Sequence, residues 1–170
     1  MNKPICHFFF RHGQEDSLET VLRTVIHQLL IKTRAPPARA LQLYEKKAAA
    51  KGALTVEELV DIFSKALQMI PDSFLVLDGL DEFTERKRLL GLVPQILETG
   101  SNVLVTSRDI PDIRAYFANY QMIQVKAHRS DLGKYVDWRL KNDSSIDYGY
   151  FTHDLKQQIA AKIEEHANGS

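Results

Sequence analysis

Three carboxylates follow a short apolar stretch of the chain, and their spacing is typical of residues that handle phosphates. In the segment SFLVLDGLDEF, Asp78 follows residues 74–77 directly, and Asp81 and Glu82 come just after it. A carboxylate in the position of Asp78 can hold Mg²⁺ directly or through water. Asp81 or Glu82 could then orient or deprotonate a water molecule that attacks a phosphate. Alternatively, Asp78 only caps a helix and the other two carboxylates are solvated, and the motif alone leaves both interpretations open.

A second apolar stretch, residues 103–105, also ends in polar residues, Thr106-Ser107-Arg108-Asp109. An arginine there can reach a terminal phosphate and neutralise the charge that develops on it. Taken alone, Arg108 is more simply explained as a surface residue paired with Asp109. Ligands of open parallel sheets, however, bind beyond the carboxyl ends of the strands. If both stretches are neighbouring parallel strands, their polar residues lie at one edge and form one site.

The elements that must position these residues alternate between strands and helices. Residues 74–77 and 103–105 are apolar without alternation, as parallel strands covered on both faces are. Asp16 with Glu19, and Thr55 with Glu58, form capping boxes at the starts of two helices. Pro94 should kink or split a helix over residues 85–97. Strands are predicted at residues 5–10, 74–77, 103–105 and 122–125, and helices at residues 18–30, 38–51, 55–70, 85–97, 109–117, 130–140 and 152–166.

This alternation predicts an α/β fold in which a parallel sheet has helices on both faces. The chain has 170 residues, which suits one domain, and we place no internal boundary within residues 1–170. On the helix over residues 130–140, Tyr135 and Trp138 are expected in the core rather than on a surface that stacks on a ligand. The residues that could do chemistry should therefore be held by the carboxyl edge of one sheet.

Composition excludes several classes of function. Lys plus Arg and Asp plus Glu are balanced at 22 each, so no overall charge attracts nucleic acid or an anionic membrane. A single cysteine, Cys6, excludes an intrachain disulfide and a cysteine-based zinc site. No apolar run approaches the length of a membrane span, and the first residues do not resemble a signal peptide. We therefore expect a soluble cytoplasmic protein without nucleic-acid or membrane partners.

The motifs together resemble a known family. FLVLDGLDE, followed later by NVLVTSRD, is similar to the Walker B and sensor-one segments of NACHT-type signalling NTPases, which belong to the STAND class of P-loop NTPases. CHFFFRHGQEDSLETVLRTVIHQLL resembles the strand and helix after the P-loop in fungal NACHT and nephrocystin-like proteins, and KIEEHANGS resembles a segment near the end of the domain. The resemblance covers nearly the whole chain. It implies a three-layer P-loop fold and a switch, found in NLR-like proteins, that is driven by ATP or GTP.

The resemblance also assigns roles to individual residues. It implies that Asp78 binds Mg²⁺, that Asp81 or Glu82 activates water, and that Arg108 senses the γ-phosphate with Thr106 nearby. The sequence departs from the family in one respect, because no G-x-x-x-x-G-K-[ST] motif occurs in it. The family places that phosphate-binding loop ahead of the strand at residues 5–10, so the loop is expected upstream of Met1.

The absent loop limits what the chain is expected to do alone. Without the loop's lysine and backbone amides we expect very weak nucleotide binding and little or no hydrolysis. The expected partners are other domains of a larger NLR-like protein, with oligomerisation through the nucleotide-binding domain. The alternatives are a non-catalytic protein-interaction module that keeps the fold, and a truncated gene product. The resemblance further implies that residues 74–77 lie between residues 5–10 and 103–105, and it leaves open whether residues 122–125 move beside 103–105 or lose their strand partner.

Overall fold

Three parallel strands form the sheet of the computed structural model, which describes residues 3–33, 35–125, 129–143 and 151–168. The strands are β1 (Ile5–Phe9), β2 (Phe74–Asp78) and β3 (Asn102–Val105), in the order β1-β2-β3. Ile5 of β1 lies opposite Phe74 of β2, which in turn lies opposite Asn102 of β3. The predicted α/β class and the central, parallel position of β2 are therefore confirmed.

The helices of the described ranges, α1 to α8, lie between the strands and after them along the chain. The chain forms two compact units, Met1–Tyr120 and Gln121–Ser170, and the strands lie in the first of them. None of the helices in the described ranges is long and apolar enough to cross a membrane. The helices are α1 (Leu18–Lys32), α2 (Ala38–Ala50), α3 (Val56–Met69), α4 (Arg86–Leu90), α5 (Val93–Glu98), α6 (Pro111–Tyr116), α7 (Arg129–Asn142) and α8 (His153–Asn168).

The core of the first unit lies on one face of the sheet. Cys6 and Phe8 of β1 and Leu75 and Leu77 of β2 point into it and are buried against the apolar faces of α1 and α3. On the opposite face, Ile5, Phe9 and Leu104 are 53%, 53% and 55% exposed. This second face, expected beneath another helical layer, is therefore apolar and about half exposed.

Local signals set where most helices begin. Thr55 and Glu58 form the predicted capping box of α3, and Pro94, in the first turn of α5, separates it from α4. Helix α1 begins at Leu18 as expected, but its predicted N-cap is wrong, because the cap is Ser17 and not Asp16. The Ser17 hydroxyl accepts a hydrogen bond from the Thr20 backbone, which occupies the position that a cap at Asp16 would have given to Glu19. Since a serine and an aspartate stand side by side, the local sequence offers two caps and the packing of Leu18 selects one.

The two edges of the sheet differ. At β1, the side-chain amide of Gln28 from α1 accepts a hydrogen bond from the His7 N–H (2.8 Å) and donates one to the His7 carbonyl (2.9 Å). The amide thus takes the place of a neighbouring strand and blocks this edge. In the described part of the chain, no comparable side chain bonds to the backbone of β3. The edge of the sheet beside β3 is therefore open.

The strand predicted at residues 122–125 is wrong. These residues have no regular structure, and Met122, Ile123 and Val125 are exposed. A short apolar run becomes a strand only when a neighbour satisfies its backbone groups, and residues 122–125 do not pair with β3. Of the two outcomes left open from the sequence, the loss of the strand partner is the one observed.

In the second unit, α7 and α8 pack on each other through Val136, Leu140 and Ala160. Tyr135 and Trp138, expected in the core, are each 57% exposed, so that expectation is wrong. Both lie on α7, but on a face that the Val136–Leu140 contact leaves outside the interface. α7 begins at Arg129, which places the predicted cap Ser130 inside the first turn, whereas Thr152 does cap α8 by accepting a bond from the Leu155 backbone.

Candidate functional site at the carboxyl edge of the sheet

Asp78 is the last residue of β2 and is held by Thr106, the residue that follows β3. The Thr106 hydroxyl donates to Oδ1 of Asp78 at 2.5 Å and accepts from the backbone N–H of Gly79 at 3.0 Å. Thr106, predicted to lie near the phosphates, thus uses its hydroxyl to fix the Asp78 carboxylate. Oδ2 of Asp78 has no hydrogen bond within the described ranges. Thr106 therefore fixes the orientation of the Asp78 carboxylate through one of its two oxygens.

Gly79 allows the chain to turn sharply after β2. Its φ is +75°, a left-handed conformation that favours glycine. A Cβ on this residue would lie 3.2 Å from the backbone oxygen of Phe10, so the turn also brings two backbone segments close together. The Phe10 carbonyl therefore lies in the space that a side chain at position 79 would need. The positive φ and the nearby carbonyl together explain why residue 79 is a glycine.

The turn that carries Asp81 and Glu82 is a single 3-10 turn, Leu80–Glu82, anchored at both ends. At its start, the Leu80 N–H donates to the Thr106 carbonyl at 3.0 Å, which extends the contact between the ends of β2 and β3. At its end, Phe83 is buried and stacks on Phe10 with ring centroids 4.7 Å apart. A backbone hydrogen bond on one side and a buried aromatic ring on the other therefore hold the two carboxylates at the sheet edge.

Asp81 and Glu82 both bind Arg108. Asp81 accepts the backbone N–H of Arg108 at 3.0 Å through Oδ1 and its Nε–H at 2.5 Å through Oδ2. Glu82 accepts from Nη2 of the same guanidinium at 2.6 Å. The Asp81 side chain is only 6% exposed, while that of Arg108 is 65% exposed. The structure thus brings these predicted site residues together, and the buried Asp81 carboxylate binds the exposed Arg108 guanidinium.

The electrostatics of this pair favour its charged form. Burial raises the pKa of Asp81, but the hydrogen bonds from the Arg108 side chain and backbone outweigh it, so the pKa lies below its usual range. The hydrogen bond to Asp81 and the charges of Asp81 and Glu82 raise the pKa of Arg108. A carboxylate with a lowered pKa is a weaker proton acceptor. Asp81 is therefore held as an anion in the ion pair.

The simpler explanation of Arg108, a surface pair with Asp109, is wrong. Asp109 instead accepts from Nε of Arg114 in α6 at 2.7 Å. Ser107, between the two functional candidates Thr106 and Arg108, donates its hydroxyl to the Arg108 carbonyl at 2.6 Å. Arg108 is thus directed back toward β2 rather than along its own loop.

His12 is a member of the site that the sequence analysis missed. Its Nδ1 lies 2.9 Å from Oε2 of Glu82, and its side chain is 90% exposed. Arg11-His12-Gly13 follows β1, so the rule that gathers residues beyond the carboxyl ends of parallel strands also applies to it. The spacing of the histidines gave no such indication, because His12 contributes alone.

Among the residues of this site, Asp78 is the one that could hold a metal ion. In the described part of the chain, no group of three or more His, Cys, Asp or Glu side chains is placed to hold a metal ion. Mg²⁺ at phosphate sites is commonly held by one or two carboxylates, with phosphate and water as the other ligands. Asp78, with one oxygen oriented by Thr106, matches that requirement.

Comparison with known proteins places the chain in one family. Residues 1–108 match the sequence model of the nephrocystin 3 N-terminal family. This is more than half of the 170 residues, so the chain belongs to that family. The matched region ends at Arg108 and does not include the C-terminal segment in which a resemblance was expected. No curated protein and no solved structure matches the chain.

Proposed function

We propose that this member of the nephrocystin 3 N-terminal family supplies the Walker B and sensor-one segments of a NACHT-type nucleotide-binding domain. The observation that supports it is the convergence of Asp78, Asp81, Glu82 and Arg108 beyond the ends of the adjacent strands β2 and β3. In open parallel sheets this is where ligands bind. Mg²⁺ and ATP or GTP would be the ligands of the complete domain.

The proposed roles follow from the contacts of each side chain. Asp78 would hold Mg²⁺ through the oxygen that Thr106 does not use, and the ion would neutralise charge on the phosphates. Arg108 has Nε and Nη2 bound to carboxylates, while Nη1 has no hydrogen bond among the described residues. A guanidinium held in this way can still donate to a terminal phosphate. The site would thus provide metal binding and phosphate recognition but not a phosphate-binding loop.

The topology of the sheet suggests where that loop would be attached. From β1 to β2 to β3, the chain moves across the sheet in a single direction. Because crossovers between parallel strands are right-handed, the connecting helices then lie on one face of the sheet. A strand that precedes β1 and pairs with the open edge of β3 would send its crossover in the opposite direction. Its helix would then cover the apolar face that bears Ile5, Phe9 and Leu104. The reversal would create a ligand-binding crevice beside Asp78 and Arg108.

The proposal extends to the biological setting that the resemblance implies. The chain would act in the cytoplasm as part of a larger NLR-like signalling protein, and nucleotide state would control oligomerisation through this domain. We expect the chain alone to be inactive as an enzyme, because its sequence contains no G-x-x-x-x-G-K-[ST] motif, whose lysine and backbone N–H groups would hold the phosphates.

A non-catalytic interaction module is the alternative, and one observation favours it. Both carboxylates expected to activate water are paired, Asp81 with Arg108 and Glu82 with Arg108 and His12. Such a network can also serve only to connect the loops after the three strands. Under this alternative the fold would be kept for contact with a protein partner, and the chain would bind no nucleotide in any context.

Calorimetric titration with Mg²⁺-ATP and Mg²⁺-GTP distinguishes these possibilities. The chain alone should show no binding at micromolar nucleotide. The chain extended at its N-terminus by a strand, a G-x-x-x-x-G-K-[ST] loop and a helix should bind one of the two nucleotides, and the same extension with the loop lysine changed to alanine is the control. Tight binding by the chain alone, or none by the extended protein, would contradict the proposal.

A further inference from the structure

Among the described residues, the hydrogen bonds between the Asp81 side chain and other residues both go to Arg108. Its Oδ1 accepts the backbone N–H of Arg108 at 3.0 Å, and its Oδ2 accepts the Nε–H of Arg108 at 2.5 Å. The first bond fixes the chain at Arg108, and the second fixes the direction in which its side chain leaves. With only 6% of its side chain exposed, Asp81 offers little surface to a water molecule. The contacts of Asp81 thus hold the backbone and the side chain of Arg108 in place.

Glu82 differs from Asp81 in each of these respects. Its side chain is 22% exposed, and its partners are the terminal Nη2 of Arg108 at 2.6 Å and the exposed His12 at 2.9 Å. It has no bond to the Arg108 backbone among the described contacts. Glu82 therefore touches only the outer end of the guanidinium and remains within reach of solvent.

We propose that Asp81 is a positioning residue that acts through Arg108 and does not itself take a proton from water. This assignment deepens the proposed function and rests on it wherever hydrolysis is concerned. Asp81 holds the Nε edge of the guanidinium, so that the Nη1 end, which has no hydrogen bond in the described ranges, is presented to a terminal phosphate. The lowered pKa of Asp81 agrees with this role, since proton transfer to it is disfavoured. Of the two carboxylates, Glu82 is then the one able to act on water.

The positioning can be measured in the chain without nucleotide. In protein labelled with ¹⁵N-arginine, the Nε–H of Arg108 should exchange with solvent at least about tenfold more slowly than that of an exposed arginine such as Arg11, because charge-assisted hydrogen bonds are the stronger ones. Asp81→Asn should remove that protection, and Asp109→Asn, on the same loop but paired with Arg114, should not. Unprotected Arg108 in the wild-type chain, or full protection in Asp81→Asn, would overturn the proposal. The wild-type comparison decides even if the variant fails to fold.

A double-mutant cycle tests whether Asp81 acts through Arg108. In the N-terminally extended protein, Asp81→Asn combined with Arg108→Gln should reduce kcat no more than about twofold beyond the worse single variant, since residues that act as one unit are not additive. If instead the fold-loss of kcat in the double variant equals the product of the two single losses, Asp81 has a separate role and the proposal is overturned. If the extended wild-type protein hydrolyses neither nucleotide, the proposed function fails, and the exchange measurement alone decides the positioning of Arg108.

Discussion

Replacing Gly79 with alanine should destabilise the protein more than the same change at Gly13, because both glycines have a φ of +75° but only Gly79 is crowded. The left-handed conformation costs a residue with a Cβ about 1–2 kcal/mol, and alanine recovers about 0.4–1 kcal/mol by restricting the unfolded chain. About 1 kcal/mol is therefore expected at Gly13, where a Cβ would meet no atom within 4 Å.

At Gly79 the added Cβ would lie 3.2 Å from the Phe10 carbonyl. That carbonyl cannot easily move away, because the Phe10 N–H is bonded to the Asp78 carbonyl at 2.9 Å and its ring stacks on the buried Phe83. Crowding in a packed region typically costs a further 1–3 kcal/mol or so, which brings the expected total for Gly79→Ala to about 2–4 kcal/mol.

Urea unfolding of the two alanine variants provides the assay. Circular dichroism follows the whole chain, and the accessibility of Cys6, buried in β1, reports on the first unit separately. The free energy of unfolding should fall more for Gly79→Ala than for Gly13→Ala, with little change in the slope against urea concentration. Equal losses in the two variants would show that the Phe10 carbonyl does not restrict position 79, and our explanation of this glycine would be wrong.

Two further predictions concern β1. Gln28→Leu keeps the size of the side chain but removes both hydrogen bonds to His7. The free energy of unfolding should fall by about 1–2 kcal/mol, and light scattering should show more self-association. Unchanged stability and unchanged scattering would refute the edge-blocking role of Gln28. Burial raises the pKa of the Cys6 thiol to about 11, so a thiol reagent at pH 8 should modify Cys6 only as fast as the protein unfolds, and rapid labelling of folded protein would contradict its burial.

The sequence predicted the parts of the fold that depend on continuous apolar runs. The family resemblance placed residues 74–77 at the centre of a parallel sheet, their apolar character on both faces agreed with that place, and β2 occupies it. The same method failed at residues 122–125, where Gln124 interrupts the apolar run and these residues form no strand. Apolar character identifies a segment that can form a strand, but pairing depends on what lies beside it.

The sequence predicted which residues form the candidate site better than it predicted how they contact one another. The carboxyl-edge rule brought Asp78, Asp81, Glu82 and Arg108 together, but it did not show that Arg108 turns toward β2 or that the Thr106 hydroxyl serves Asp78. Those contacts depend on side-chain directions, which spacing along one chain does not determine. The Gln28 amide on the edge of β1 was missed for the same reason, since it joins residues 21 positions apart.

The central claim is that Asp78 belongs to a metal and phosphate site, and hydrolysis by the N-terminally extended protein tests it most directly. Phosphate release from ATP and GTP should require Mg²⁺ and should be abolished by Asp78→Ala. The matched control Asp109→Ala removes a carboxylate from the loop after β3 that pairs only with Arg114 among the described contacts, and it should leave the rate unchanged. Turnover by Asp78→Ala at the wild-type rate would contradict the Walker B assignment of Asp78.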